Sequence, residues 1–267
     1  MYKEIIKHTT QPHMAYIVLG LSYQPFDETG LDAYYLATQE MYRQSYEMQN
    51  ELRSKGAYAR VVNDVSLRDL AFKSGLATIL GINQMAMRDD CGSWLVLGAI
   101  ETDDKETVAS AKNTVVQKVD KCIDCGECVR ECPTGALGYN GEFDATLCLR
   151  SYQCGDVVPP EIADKIGKRF LGCEICQAVC PHNFHVPSVP VPQDVADALK
   201  NSIHTIAPFK KLIGVNYARA KYLTANSITY AANTFNKDAL PKLKSMTSDE
   251  KYGEMARWAI KKIESSG

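Results

Sequence analysis

Cys122-x-x-Cys125-x-x-Cys128-x-x-x-Cys132-Pro133 places thiols at the steps by which a backbone wraps an iron-sulfur cubane. In such a run the first three thiolates hold one 4Fe-4S cluster and the fourth reaches a second, while backbone N–H groups point at the sulfurs and offset their charge. A second run, Cys173-x-x-Cys176-x-x-x-Cys180-Pro181, repeats the pattern without its first ligand. By the exchange rule Cys122, Cys125, Cys128 and Cys180 form one set, and Cys132, Cys173 and Cys176 form most of the other. The missing thiolate must be remote, and Cys148 and Cys154 both lie between the runs. Zinc is the competing metal, but it takes four tetrahedral ligands and has no reason to crowd three into one short loop. The spacing therefore predicts two 4Fe-4S clusters and an electron-handling protein. Cys91 and Cys154, the cysteines left over if Cys148 is the remote ligand, are expected to be small buried residues.

The rest of the chain has to position these thiols. It has 267 residues, 45% of them hydrophobic, enough for one large domain or two to three small ones. The ten cysteines are an even count, but the length and the absence of a signal-peptide pattern argue against a disulfide scaffold. No run approaches the roughly 18 apolar residues of a membrane-spanning helix, so no membrane association is expected and the location is expected to be cytoplasmic. The net charge of -2 excludes a protein that is basic overall. From Val186 onward, however, twelve Lys and Arg face seven Asp and Glu, a local excess suited to an acidic partner.

The apolar runs Tyr16–Leu21 and Gly92–Ile100 read as buried strands. Helices are expected from about Leu31 to Lys55 and from about Ser66 to Ser74, the second closed by Gly75. Residues 119–183 read as a loop-rich metal module, and Val186–Pro192 as an extended proline-rich connector. Beyond it lie three amphipathic stretches: Tyr217 with Leu223, Ile228, Tyr230 and Ala231; Leu240 with Leu243 and Met246; and Met255 with Trp258, Ala259 and Ile263. The expected fold class is α+β, with an α/β region at 1–117, a ferredoxin-like 4Fe-4S module at 118–185 and a helical region at 186–267.

Phe143-Asp144-Ala145 leading to Cys148, Ser151-Tyr152, Pro159-Pro160-Glu161 and the segment Gly172–Asn183 together resemble the cluster domain of epoxyqueuosine reductases. That resemblance favours Cys148 as the remote ligand. Upstream, Arg68–Leu76 and Gly92–Asp103 are similar to the family's corrinoid-facing domain, itself related to the core of reductive dehalogenases. Downstream, Leu212–Arg219 and Met255–Ile260 resemble its HEAT-like helical repeat. The resemblance implies a cobalamin beside the first cluster, an electron donor of flavodoxin or ferredoxin type, and removal of the epoxide oxygen from epoxyqueuosine in tRNA to give queuosine. It also implies an Asp of the first domain as proton donor, and Asp64 is the position that matches. The first region is shorter than the family's usual form, at the place of the corrinoid cradle.

Each of these residues has a plainer reading. Asp64 just before a helix is also what a cap or near-cap residue looks like. Tyr34, Tyr35 and Tyr42 could line a pocket or simply fill a core. The histidines His8, His13, His182, His185 and His204 form no metal-binding spacing, although His182 beside Cys180 could tune a cluster. Lys210, Lys211, Arg219 and Lys221 could meet tRNA phosphates or form a solvated face. Two functional alternatives follow: a cobalamin-free electron-transfer protein, and a corrinoid reductase or activator acting on another substrate.

Overall fold

The computed structural model describes residues 1–7, 11, 13–112 and 120–265, with the side chains of Asp120 and Lys121 left aside. The boundary expected at 117–118 and His8 lie outside the described residues. The chain forms, in order, β1 (Tyr2–Lys7), β2 (Ala15–Ser22), α1 (Ala33–Ser54), β3 (Ala59–Val61), α2 (Leu67–Ser74), β4 (Ile79–Leu80), β5 (Ala86–Met87), β6 (Leu95–Thr102) and α3 (Lys105–Ser110). Then follow β7 (Asp120–Lys121), α4 (Glu127–Arg130), α5 (Leu149–Gln153), α6 (Pro160–Ile166) and α7 (Ile175–Ala178). The C-terminal part is helical: α8 (Gln193–Lys200), α9 (Ala207–Tyr217), α10 (Ala220–Asn233), α11 (Leu240–Ser245) and α12 (Gly253–Glu264). None of the described helices is long and apolar enough to cross a membrane.

The first sheet has the order β1-β2-β6-β3 and is antiparallel throughout. Because side chains alternate along a strand, Tyr16 and Val18 of β2 join Leu70, Ala71 and Leu76 around α2, whereas Ile17 and Leu19 join Ala37, Met41 and Leu52 of α1. Helices cover both faces, which is why β2 reads as an uninterrupted apolar run rather than an alternating one. The ends of α2 are as expected: the Ser66 hydroxyl accepts from the Asp69 N–H, and Gly75 adopts the left-handed conformation.

A second, small sheet connects this region to the cysteines. Its order is β5-β4-β7, and β4 pairs in parallel with β7, so the Cys122 N–H reaches the Leu80 carbonyl at 3.3 Å. The first thiol is thus positioned by a strand of the preceding region.

Helical packing departs from the sequence reading in one place. Tyr217 ends α9, while Leu223, Ile228, Tyr230 and Ala231 belong to α10; the chain breaks between them at Ala218 and Arg219. Gly214 interrupts α9 with φ 74°, where a Cβ would meet Gln39 Oε1 of α1 at 2.3 Å. The apolar cores cross the sequence-level boundaries. One joins Leu31 and Tyr35 to Phe170, Leu171, Val195 and Phe209. Another joins Leu149, Val158, Ala163 and Ile166 to Ile228, Leu243, Ala259 and Ile263. The proline-rich connector is held at Val189, whose N–H donates to the Pro25 carbonyl at 2.9 Å.

Candidate iron-sulfur site

Two cavities divide the thiols in the way the exchange rule requires. Cys122, Cys125, Cys128 and Cys180 line the first, together with Ile82 and His182. Cys132, Cys148, Cys173 and Cys176 line the second, a hollow of about 520 Å³. Each set is assembled from separate elements. Cys122 follows β7, Cys128 lies in α4 and Cys180 opens the 3₁₀ turn Pro181–Asn183. Cys148 is the residue before α5, and Cys176 lies in α7.

All ten cysteines are free. Among the described residues no three His, Cys, Asp or Glu groups come together as the ligands of one metal ion. Four thiols spread over the walls of a cavity suit a cubane, which takes one thiolate per iron, better than one zinc with every sulfur at about 2.3 Å.

Polarity around the sulfurs has the same sense. Burial pushes the Cys128, Cys173, Cys176 and Cys180 thiols up, the ordinary result of desolvating an anion. Burial acts on Cys132 as well, but the N–H groups of Thr134, Ala136 and Leu137 and the Thr134 hydroxyl outweigh it and hold this thiol below its usual value. The His182 N–H does part of the same for Cys180. Such amide donors are what the sulfurs of a bound cluster require, so the residues present fit two 4Fe-4S clusters.

Buried hydrogen bonds lock the second run against β6. The Ser93 N–H donates to Asn183 Oδ1 at 2.7 Å, and Asn183 Nδ2 donates to Ser93 Oγ at 2.8 Å and to the Gln177 carbonyl at 2.7 Å. Gln177 Nε2 returns to the Ser93 carbonyl at 2.9 Å. Gly92 has φ 55°, and a Cβ there would meet Asn183 Oδ1 at 1.9 Å, so the close approach needs glycine. Asn83 ties the first region to the second set by donating to the Cys176 carbonyl at 3.1 Å.

Among the candidates other than the cluster thiols, the expectation that comes out differently is a buried Cys154. Asp64 carries no retained proton: its side chain is 58% exposed and its carboxylate accepts twice from Arg60, at 2.9 and 3.0 Å, which lowers its pKa. It is not the cap of α2 either, since Ser66 fills that place. Cys154 is exposed at the end of α5 rather than buried, and it lines neither cavity, whereas Cys91 is buried. Tyr35 is a core residue, Tyr34 packs edge-on against it, and Tyr42 stacks on Tyr46; none lines a thiol cavity.

The structure also shows groups the sequence reading did not single out. Asp32 caps α1 through the Tyr34 N–H at 2.8 Å and is fully enclosed with Glu174, and burial raises the pKa of both carboxyls. Arg150 stands in the wall of the second cavity. Neither feature has a local sequence signal, because each depends on segments more than a hundred residues apart.

Residues 121–183 match the model of the 4Fe-4S double cluster binding domain, so this segment belongs to the class of double-cluster iron-sulfur domains. Within that class the chain is epoxyqueuosine reductase-like. It is 32% identical over 232 residues to the epoxyqueuosine reductase of Lactococcus garvieae, covering 78% of this chain and 62% of that protein. Among solved structures it resembles epoxyqueuosine reductase from Bacillus subtilis with its catalytic aspartate loop swung out of the active site, with a TM-score of 0.73, 24% identity, and coverage of 93% of this chain and 73% of that one. It also resembles an epoxyqueuosine reductase solved with an epoxyqueuosine-modified tRNA stem loop, with a TM-score of 0.68, 23% identity and coverage of 94% and 73%. The chain spans about half to three-fifths of the length of the curated relatives it matches.

Proposed function

We propose that this chain is an iron-sulfur oxidoreductase of the epoxyqueuosine reductase type, with Cys122, Cys125, Cys128 and Cys180 holding one 4Fe-4S cluster and Cys132, Cys148, Cys173 and Cys176 the other. The observation that carries the reading is the partition of eight thiols between two cavities, four to each. When bound, each cluster supplies one-electron storage at low potential. In this reading the protein's own residues do the rest: Asn183, Gln177 and Ser93 fix the geometry of the second run, and amide groups of Thr134, Ala136 and Leu137 stabilise sulfur charge.

The substrate of this reading is epoxyqueuosine in tRNA, whose epoxide oxygen leaves as water on uptake of two electrons and two protons, giving queuosine. Support comes from the relatives that bear this activity and from the exposed bases Lys210, Lys211 and Arg219 on α9 and at the start of α10. Lys221 is also exposed and faces Asp156 at 3.6 Å. The electrons would come from a flavodoxin- or ferredoxin-type donor, and ten free cysteines suit a reducing, cytoplasmic setting. The working division remains 1–117, 118–185 and a HEAT-like helical region at 186–267.

Cobalamin is the reacting group in the fuller form of the proposal, but neither thiol cavity has room for it beside a cluster. The cavity on the first set closes around the thiols, with Gly81, Met87 and Ile123 among its walls. The hollow of about 520 Å³ on the second set has the size used for drug-sized ligands, roughly 300–1,000 Å³, and must already take a cluster. A corrinoid with its nucleotide tail is much larger. No step is therefore derived through one, and this mismatch favours a second reading, a cobalamin-free electron-transfer protein.

The test is anaerobic purification with iron and sulfide analysis, followed by titration with cobalamin and an assay on epoxyqueuosine-containing tRNA with a chemical reductant. About eight irons per chain and turnover support the proposal. Eight irons without a cobalamin spectral change or turnover support the second reading, and zinc in place of iron overturns both.

A further inference from the structure

We propose that Arg150 is an electrostatic tuning residue that makes the second cluster the easier of the two to reduce. The inference rests on the cluster assignment above and deepens it. Arg150 follows Cys148 by two residues and is one of the residues lining the cavity shared by Cys132, Cys148, Cys173 and Cys176. Its guanidinium lies over the ring of Tyr34 at 4.7 Å and that of Tyr35 at 5.5 Å. These rings are neutral partners: Tyr35 is 1% exposed, and burial holds its hydroxyl far from ionisation. Guanidinium cannot be deprotonated in a protein, so the charge is permanent.

Other charges nearby are differently placed. Asp32 and Glu174 enclose a separate small cavity with Arg169, whose lining Arg150 does not join, although the Asp32 carboxyl acts on Arg150 and the Arg169 charge acts on Cys173. Beside the first set, Arg130 is 47% exposed, forms an ion pair with Glu127 and donates to the Cys125 carbonyl at 2.8 Å. Its charge is both neutralised and screened by water. Arg150 therefore acts on its cluster through a medium of low effective dielectric, and Arg130 does not.

The consequence follows from charge alone. Reduction adds one negative charge to a cluster already anionic with its thiolates, so a nearby half-buried cation stabilises the reduced form more than the oxidised one. Removing the cation must lower the midpoint potential of that cluster, and of that cluster selectively.

The experiment is an anaerobic, EPR-monitored redox titration of the full chain with both clusters loaded, using chemical reductant and one-electron mediators. Signals are assigned by which of them Cys176→Ser abolishes. In Arg150→Gln the reduced-to-oxidised ratio of the second cluster at a fixed potential should fall about tenfold, equivalent to 59 mV for one electron. The first cluster should stay in place, the change should persist at high salt, and Arg150→Lys should restore most of it. Arg130→Gln should move neither signal appreciably. An Arg150→Gln titration that overlays the wild type, or that moves both clusters equally, overturns the proposal. If Arg150→Gln loses the second cluster, retention of it in Arg150→Lys assigns the loss to charge and supports the proposal, whereas loss in both variants assigns it to packing and overturns it. A wild type with fewer than two clusters by iron analysis defeats the cluster assignment itself, and Arg150's role with it, an outcome separate from a failed shift.

Discussion

The two thiol sets differ in how they are built. Three members of the first lie within seven residues, Cys125 is exposed, and the loop needs the left-handed Gly126 to turn. The second draws Cys132, Cys148 and the Cys173–Cys176 pair from three places in the chain and is held under helices from both ends of it. A contiguous run carries its geometry in its own backbone. A dispersed set borrows it from the tertiary structure, so it should respond to packing changes that leave the first set intact.

The sharpest way to break this contrast is to remove one thiol from each side. Cys176→Ser should lower the iron content from about eight to about four per chain while the first cluster's EPR signal persists, and Cys125→Ser should do the reverse. A smaller effect comes from packing. Phe170 is fully buried and stacks on Phe209 with ring centroids 4.5 Å apart, so Phe170→Ala should cost about 3–5 kcal/mol in chemical denaturation and should deplete the second cluster before the first. Asn183→Ala leaves buried partners at Ser93 and Gln177 unsatisfied; a loss of about 1–3 kcal/mol is expected, read as a lowered Tm of the loaded protein. The smallest effect belongs to the first region. Asp64→Asn removes an exposed carboxylate already ionised against Arg60, so the denaturation midpoint should match that of the wild type, with cluster content and the pH profile of electron uptake unmoved.

The same contrast explains what could be read from the sequence. Three members of the first set, Cys122, Cys125 and Cys128, were legible because their spacing is local, and so were β2, β6, α1 and α2, whose apolar patterns and caps are local as well. The antiparallel order of the first sheet was not, since buried strands read alike whatever their direction. Nor was the interruption of α9 at Gly214, because Gly214 and Gln39 meet only in the folded chain. The second set was legible for Cys132, Cys173 and Cys176, while spacing alone left its fourth member open between Cys148 and Cys154. The surroundings of Asp64 were hidden for a related reason: a matched position says nothing of the Arg60 guanidinium that reaches it across four residues. Arg150 and the Asp32–Glu174 pair had no signal at all, since a buried charge is recognised only by what surrounds it.

Everything claimed for electron transfer depends on the fourth thiol of the dispersed set. The direct measurement is iron and sulfide content, with EPR of the reduced protein, for Cys148→Ser and Cys154→Ser purified anaerobically side by side. Cys148 lines the second cavity and Cys154 does not, so Cys148→Ser should retain about four irons and only the first cluster's signal, and Cys154→Ser should keep about eight and both. Loss of a cluster in Cys154→Ser with both retained in Cys148→Ser would contradict the account.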